Sequence, residues 1–225
     1  MRHLITALFL IVATQVYAET RNFSKYGPFL HFNDLPWALF LIGEIDQSSS
    51  ANFLRAVRRH DISLLALQSS GGLITEGLII AELVNQKKIS TFVPWNGKCF
   101  SSCSFIYFAG RPARHVGGKL GVHQFYSADD AAVSRRKTEV QTQQFVSDII
   151  AALNSFDTPP FVLEKMFATS GIYILELREM MEVSRGENQE FVDAMVLVDE
   201  CFDNLTNSRL GHKAYGDGQC YKLAK

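Results

Sequence analysis

Ile62-Ser63-Leu64-Leu65-Ala66-Leu67-Gln68-Ser69-Ser70-Gly71-Gly72 is the stretch on which the fold turns. Ile62 to Leu67 is an apolar run of strand length, suited to a strand buried on both faces, as in a parallel sheet. Gln68 to Gly72 is a turn that needs glycine's backbone freedom. The pattern repeats on either side. Upstream, Trp37-Ala38-Leu39-Phe40-Leu41-Ile42-Gly43 is another continuous apolar run. Ser48-Ser49-Ser50 follows it and can cap a helix carrying Phe53, Leu54 and Val57 on one face. Downstream, the spacing predicts a helix from about Thr75 to Asn85, with Ile80, Leu83 and Val84 as its stripe, and then a strand over Ile89 to Val93. Lys98 to Gly110 reads as a compact buried helix. Leu120-Gly121-Val122-His123 reads as a short strand. Strand–helix–strand alternation implies right-handed βαβ units and an α/β domain, its mainly parallel sheet flanked by helices.

Beyond this core, Val133, Val140, Phe145, Val146, Ile149 and Leu153 recur at helical spacing, giving an amphipathic helix over Asp130 to Asn154. Its stripe suits a contact between copies of the chain or packing within one copy; the spacing favours neither. Pro159-Pro160 breaks it. Phe161 to Ala168 reads as a short helix, Thr169-Ser170-Gly171 as a turn, Tyr173-Ile174-Leu175 as a strand, and Glu176 to Val183 as a helix. The organisation is then an irregular lead-in over 19–36, one domain over 37–200, and a polar tail over 201–225.

The chain has 225 residues, 47% hydrophobic and 20% charged, enough for one domain with a sizeable core. A formal net charge of -1 gives no reason to expect a nucleic acid or an acidic membrane as partner. Met1-Arg2-His3, the apolar Leu4 to Ala13 and Val16-Tyr17-Ala18 have the order of a secretory signal, residues 1–18, cleaved after Ala18. The apolar part is short for a membrane anchor. The expected location is periplasmic or secreted. An oxidising compartment permits disulfides among Cys99, Cys103, Cys201 and Cys220. Cys201 and Cys220 would tie down the tail. Cys99 and Cys103 fall one turn apart on a helix, where they can bridge or remain buried thiols. No nearby His or Cys completes a metal site, so neither metal nor cofactor is expected.

Three pieces suggest chemistry. Ser69-Ser70-Gly71-Gly72 lets backbone N–H groups approach a ligand, though an ordinary βα turn has the same composition. Ser101 and Ser102 open the buried helix, where a serine oxygen lies near backbone N–H groups; helix capping explains them equally well. His123 ends a strand, where α/β proteins place sites, or is a structural histidine. Lys98 reads as a surface charge, with a catalytic base as the alternative. Arg111, Arg114, Arg135 and Arg136 are spaced too loosely for a phosphate site, and His115 and His212 lie in polar stretches.

In this order the pieces resemble the Clp protease proteolytic subunit, within the crotonase-like superfamily. Phe40-Leu41-Ile42-Gly43-Glu44-Ile45 resembles its first core strand. Ser69-Ser70-Gly71-Gly72 matches its Ser-Pro-Gly-Gly loop, with Ser70 where proline is usual. Gly97 to Gly110 aligns without gaps on its nucleophile helix, and Gly121-Val122-His123-Gln124 on its Ile-His-Gln segment. The resemblance covers Trp37 to Gln124 well and the rest loosely. Cys-x-Ser-x-Cys is similar to a group of secreted bacterial proteins related to that subunit.

The resemblance implies a crotonase-like fold of repeated β-β-α and βαβ units and acyl transfer on peptide bonds. Ser101 is then the nucleophile, His123 the base, and Gly71, Gly72 and Ser102 shape the oxyanion site. The family's acidic residue should fall near Thr169-Ser170-Gly171-Ile172, where no carboxylate stands. Glu176 and Glu179 need another path to His123; Asp129 and Asp130 sit close in sequence. A Ser–His dyad, a backbone carbonyl as orienter, and an inactive site all remain open. Ser102 is a substitute nucleophile by position only. The expected partner is a small peptide or unfolded segment, with no ATP-driven unfoldase because the periplasm lacks ATP. A homo-oligomer joined through the 130–154 helix follows from the same resemblance. The alternative is a catalytically inactive binding or scaffold protein that kept the fold.

Overall fold

The computed structural model describes residues 22–124, 135–206 and 220, and over 135–141 the backbone alone. The signal segment 1–18, Asp129, Asp130, His212 and the side chains of Arg135 and Arg136 lie outside the described residues. The chain runs β1 (Phe23–Tyr26), β2 (Phe29–Phe32), β3 (Ala38–Ile42), α1 (Ser49–Arg59), β4 (Leu64–Gln68), α2 (Ile74–Lys87), β5 (Ser90–Val93), β6 (Lys98–Phe100) and α3 (Ser102–Phe108). It continues with β7 (Arg114–Val116), β8 (Lys119–Val122), α4 (Arg135–Ser155), α5 (Pro160–Ala168), β9 (Tyr173–Ile174), α6 (Leu177–Val183) and α7 (Gln189–Thr206).

The expected parallel core is present. β3, β4, β5 and β7 pair side by side in parallel, with Leu39 opposite Leu65 and Ala66 opposite Phe92. Because side chains alternate along a strand, this sheet feeds two cores. Leu39, Leu41, Leu65 and Leu67 face α1, α2 and α3. Phe40, Leu64, Ala66 and Phe92 face α7 through Phe191, Met195, Val198 and Phe202. Helices on both faces bury the apolar runs completely. Each such side chain contributes about 1.5–3 kcal/mol on burial, which is why continuous hydrophobic strands mark this layer. A smaller sheet, in the order β6-β8-β9, stands apart and carries the candidate site.

Four expectations need correction. The lead-in is not irregular: β1 and β2 form an antiparallel hairpin that joins the main sheet beside β3. Lys98 to Gly110 is not one helix, but a strand, a single-residue reversal and a helix. Arg114 to Val116 is a strand, which its charged composition conceals. Cys201 lies on the buried stripe of a helix rather than in a polar tail. That helix shows a readable stripe at Phe191, Met195, Val198 and Phe202.

The caps of α1 also differ from expectation. Ser48 makes no side-chain cap. Instead the Ser48 N–H donates to Asp46 Oδ1 at 2.9 Å, and the Ser50 N–H donates to Glu76 Oε2 at 2.7 Å. Carboxylates at a helix N-terminus satisfy both the orphan N–H groups and the dipole. Two disulfides close the structure, Cys99–Cys103 and Cys201–Cys220, and fit an oxidising compartment. Among the described residues no helix is long and apolar enough to cross a membrane.

Candidate functional site

The site is built on one residue. β6 ends at Phe100 and α3 begins at Ser102, so the whole reversal falls on Ser101, at φ 57° and ψ -131°. Residues with a Cβ avoid this region, and holding one there costs about 1–3 kcal/mol. A strand, a sharp turn with serine at its apex, and a helix have the geometry of a nucleophile elbow. Backbone bonds fix the reversal from both sides. The Ser101 N–H donates to the Gly121 carbonyl at 3.1 Å. The Ser101 carbonyl accepts from the Ser104 N–H at 2.8 Å and from Ser104 Oγ at 2.7 Å.

The capping alternative does not match these contacts. Ser101 occupies the cap position without making a side-chain cap. Ser102 is 1% exposed, and its Oγ is buried with no hydrogen-bond partner. It packs so tightly on α2 that a Cβ added at Gly77 would lie 2.9 Å from Ser102 Cβ. Ser102 is therefore unreachable as a substitute nucleophile, while the half-buried Ser101 is accessible.

The glycine loop forms the adjoining wall. The Ser69 N–H donates to the Lys98 carbonyl at 2.8 Å, and the Phe100 N–H to the Ser69 carbonyl at 3.1 Å, which stitches the loop to β6. Gly71 has φ +96°, and a Cβ there would lie 2.6 Å from Ser101 Cβ and 2.7 Å from the Phe100 carbonyl oxygen. Only glycine fits. The Gly71 N–H donates to Ser69 Oγ at 3.0 Å, so this residue contributes space rather than an oxyanion donor. Gly72 pairs with Ile45, but that bridge uses the Gly71 carbonyl and the Leu73 N–H. The Gly72 N–H has no backbone acceptor among the described residues.

His123 leaves the end of β8, whose Gly121 lies opposite Phe100. The imidazole thus emerges beside the start of α3. Its Nδ1–H donates to the Gln124 carbonyl. Gln124 is itself anchored to the turn after α5: its N–H donates to the Thr169 carbonyl at 3.4 Å and its Nε2–H to the Phe167 carbonyl. A proton held on Nδ1 leaves the lone pair on Nε2, the form a general base requires. Sequence reading leaves a backbone carbonyl open as orienter without naming its residue, because a carbonyl leaves no signature in residue type.

Of the carboxylates weighed for this role, Glu176 and Glu179 are engaged elsewhere, and Asp129 and Asp130 lie outside the described residues. Glu179 accepts from Tyr173 Oη at 2.9 Å and from the Glu176 N–H at 2.9 Å, and faces Lys165 Nζ at 3.6 Å. Glu176 caps α6. No carboxylate occupies Thr169 to Ile172.

A cleft of ≈ 410 Å³ opens at the carboxyl ends of β3 and β4, lined by Glu44, Gln68, Ser70, Gly71, Gly72 and Lys98 among others. α/β proteins bind ligands at this edge. Neither Ser101 nor His123 lines it; Gly71 is the wall it shares with Ser101. Lys98 is half-buried, its Nζ 5.9 Å from the Phe100 ring centroid, so it is a cleft cation rather than a remote surface charge.

The other basic residues serve the fold. Arg111 and Arg185 pair with Asp157 at 2.7 and 3.1 Å, His115 with Glu187, and Arg114 is buried. All four cysteines are in disulfides. Among the described residues no group of His, Cys, Asp and Glu could hold a metal ion. The chain matches no protein-family model and no curated protein.

Proposed function

We propose that the chain is an exported serine hydrolase of the Clp-protease-subunit type, with a crotonase-like fold, acting on peptide bonds. The observation that carries this reading is Ser101 at φ 57° between β6 and α3, with His123 at the end of the neighbouring strand. A strained, accessible serine apex is uncommon unless the hydroxyl has a task.

Ser101 Oγ attacks the substrate carbonyl carbon while His123 Nε2 takes its proton. The N–H groups of Gly72 and Ser102 receive the developing oxyanion, one such donor being worth about 3 kcal/mol. The imidazolium returns the proton to the leaving amine, and water then releases the acyl group by the same route. The Gln124 carbonyl fills the orienting role usually given to a carboxylate. It sets the tautomer but carries no charge. Charge-assisted hydrogen bonds are roughly twice as strong as neutral ones, so turnover is expected to be slow. The substrate in this reading is a small peptide or an unfolded segment, and export removes any ATP-driven partner. In α4, Ile149 and Leu153 turn into the core, so an oligomer contact through that helix uses its outward face.

One observation favours a second reading. The turn from Thr169 to Ile172, which lacks a carboxylate, suits a binding or scaffold protein that has kept the fold. Fluorophosphonate labelling of the mature, oxidised protein separates the two. Labelling that is lost in both Ser101→Ala and His123→Ala is expected. A folded wild type that never labels would leave the binding protein as the better account.

A further inference from the structure

We propose that the Cys99–Cys103 disulfide is the positioning device for Ser101, holding the serine in its positive-φ conformation. The chain then reacts as a hydrolase only while this bridge is formed. The inference rests on the reading of Ser101 as nucleophile, but its structural part can be judged separately.

A nucleophile elbow turns so sharply that the residues two before and two after the serine pass close together, and both are commonly glycine. Here those positions are Cys99 and Cys103, their Cα atoms 5.3 Å apart and joined through sulfur. The bridge restricts what the chain can do. Were β6 to run on through Ser101, the two Cα atoms would stand roughly 13 Å apart, far outside disulfide range. Were α3 to extend backwards instead, Cys99 would leave its place opposite Leu120 in β8 and its bridge to Ser69. Ladder and disulfide together leave one arrangement, with the reversal confined to Ser101.

A general stabilising role explains the bridge less well. The loop it closes is very short, and short loops constrain an unfolded chain least. Cys201–Cys220, with a sequence separation of 19, serves that purpose better. Both Cys99 and Cys103 are fully buried directly beneath the reversal. The remaining restraints on Ser101 are hydrogen bonds to Gly121 and to the N–H and Oγ of Ser104, which an ordinary helix start could replace. Without the bridge, Ser101 relaxes to negative φ, and its hydroxyl swings from the Gly71–Gly72 wall.

The test compares wild type with Cys99→Ala/Cys103→Ala and with Cys201→Ala/Cys220→Ala. Three readouts are taken: the second-order rate of fluorophosphonate labelling, the thermal melt by circular dichroism, and the sign of φ at Ser101 from three-bond couplings in serine-labelled protein. Cys99→Ala/Cys103→Ala is expected to stay folded, lose about 100-fold in labelling rate, and show negative φ. Cys201→Ala/Cys220→Ala is expected to melt earlier and label like wild type. If Cys99→Ala/Cys103→Ala fails to fold, Cys99→Val/Cys103→Ala refills the buried space and takes its place. A folded variant that labels within about threefold of wild type, or keeps positive φ, overturns the proposal. If wild type does not label at all, the hydrolase reading fails, and the coupling alone decides whether the bridge holds the reversal.

Discussion

The two ends of α3 are finished in opposite ways. At the C-terminal end the Phe108 carbonyl is claimed by Arg114, which is 1% exposed. The same guanidinium donates to the carbonyls of Val183 at 2.8 Å, Phe156 at 2.9 Å and Asp157 at 3.0 Å. Three helices, α3, α4 and α6, thus present their C-terminal carbonyls, the negative ends of their dipoles, to one buried cation. Burial pulls the guanidinium down to about 10, still charged at neutral pH. At the N-terminal end nothing comparable happens: Ser101 caps nothing and Ser102 Oγ has no partner. A helix leaves orphan groups at both ends. This one satisfies them at its C-terminal end and leaves the Ser102 hydroxyl unpaired at its N-terminal end.

The contrast makes opposite demands on two substitutions. Arg114→Met removes a cation from a set of buried carbonyls, and breaking such a network costs about 3–5 kcal/mol. The loss should appear as a lower urea midpoint. Ser101→Gly relieves a strain of about 1–3 kcal/mol against a glycine entropy cost of roughly 0.5–1 kcal/mol, so the midpoint should rise slightly while labelling vanishes. If Ser101→Gly destabilised the protein as Arg114→Met does, the two ends of α3 would be equally structural, and the site reading would lose its main support.

Gly71→Ala probes the wall between the cleft and Ser101. The added methyl meets Ser101 Cβ at 2.6 Å and backbone at 2.7 Å, at a φ of +96° that alanine resists. Overpacking with backbone strain predicts a loss of about 2 kcal/mol. On the hydrolase reading, labelling should fall by about 10-fold or more, since a small shift of Ser101 would be costly. A lowered midpoint with unchanged labelling would mean that Ser101 is not held against this loop.

What the sequence disclosed follows the same division. Leu39, Leu65 and Phe92 lie in strands buried on both faces, and their apolar runs announce them. Ser101 was legible as a residue but not as a conformation. An apolar run cannot distinguish strand from helix, and the break in Lys98 to Gly110 falls on serine rather than on a glycine or proline. Arg114 and His115 concealed β7 because the groups that neutralise or accept from them, near Phe156, Val183 and Glu187, are remote in sequence. β2 was missed because Phe29-Leu30-His31-Phe32 is short and carries a histidine, although all four residues are buried. The disulfide partners were among the possibilities, but the reversal that makes Cys99–Cys103 meaningful was not.

His31 gives the smallest and sharpest test, because it too is buried with an unsatisfied polar atom. Its Nε2–H donates to the Pro36 carbonyl at 3.1 Å, leaving Nδ1 buried without a partner. The ring stacks on His60, centroids 3.5 Å apart, and His60 Nε2 accepts from Tyr26 Oη at 2.8 Å. Burial holds both imidazoles below their ordinary value of 6.5, and for His60 the neighbouring His31 and Arg59 push the same way. The unfolded chain therefore binds protons that the folded chain refuses, so stability rises with pH in this window. It should be fully present above 6.5 and decline as the pH falls below it towards the folded values. His31→Phe keeps a stacked ring without the titrating nitrogen and should flatten that decline, with fluorophosphonate labelling at neutral pH unchanged. A change in labelling would tie the β1–β2 hairpin to the Ser101 site. Unchanged labelling would leave His31 as a tolerated polar defect of the β1–β2 hairpin, independent of Ser101.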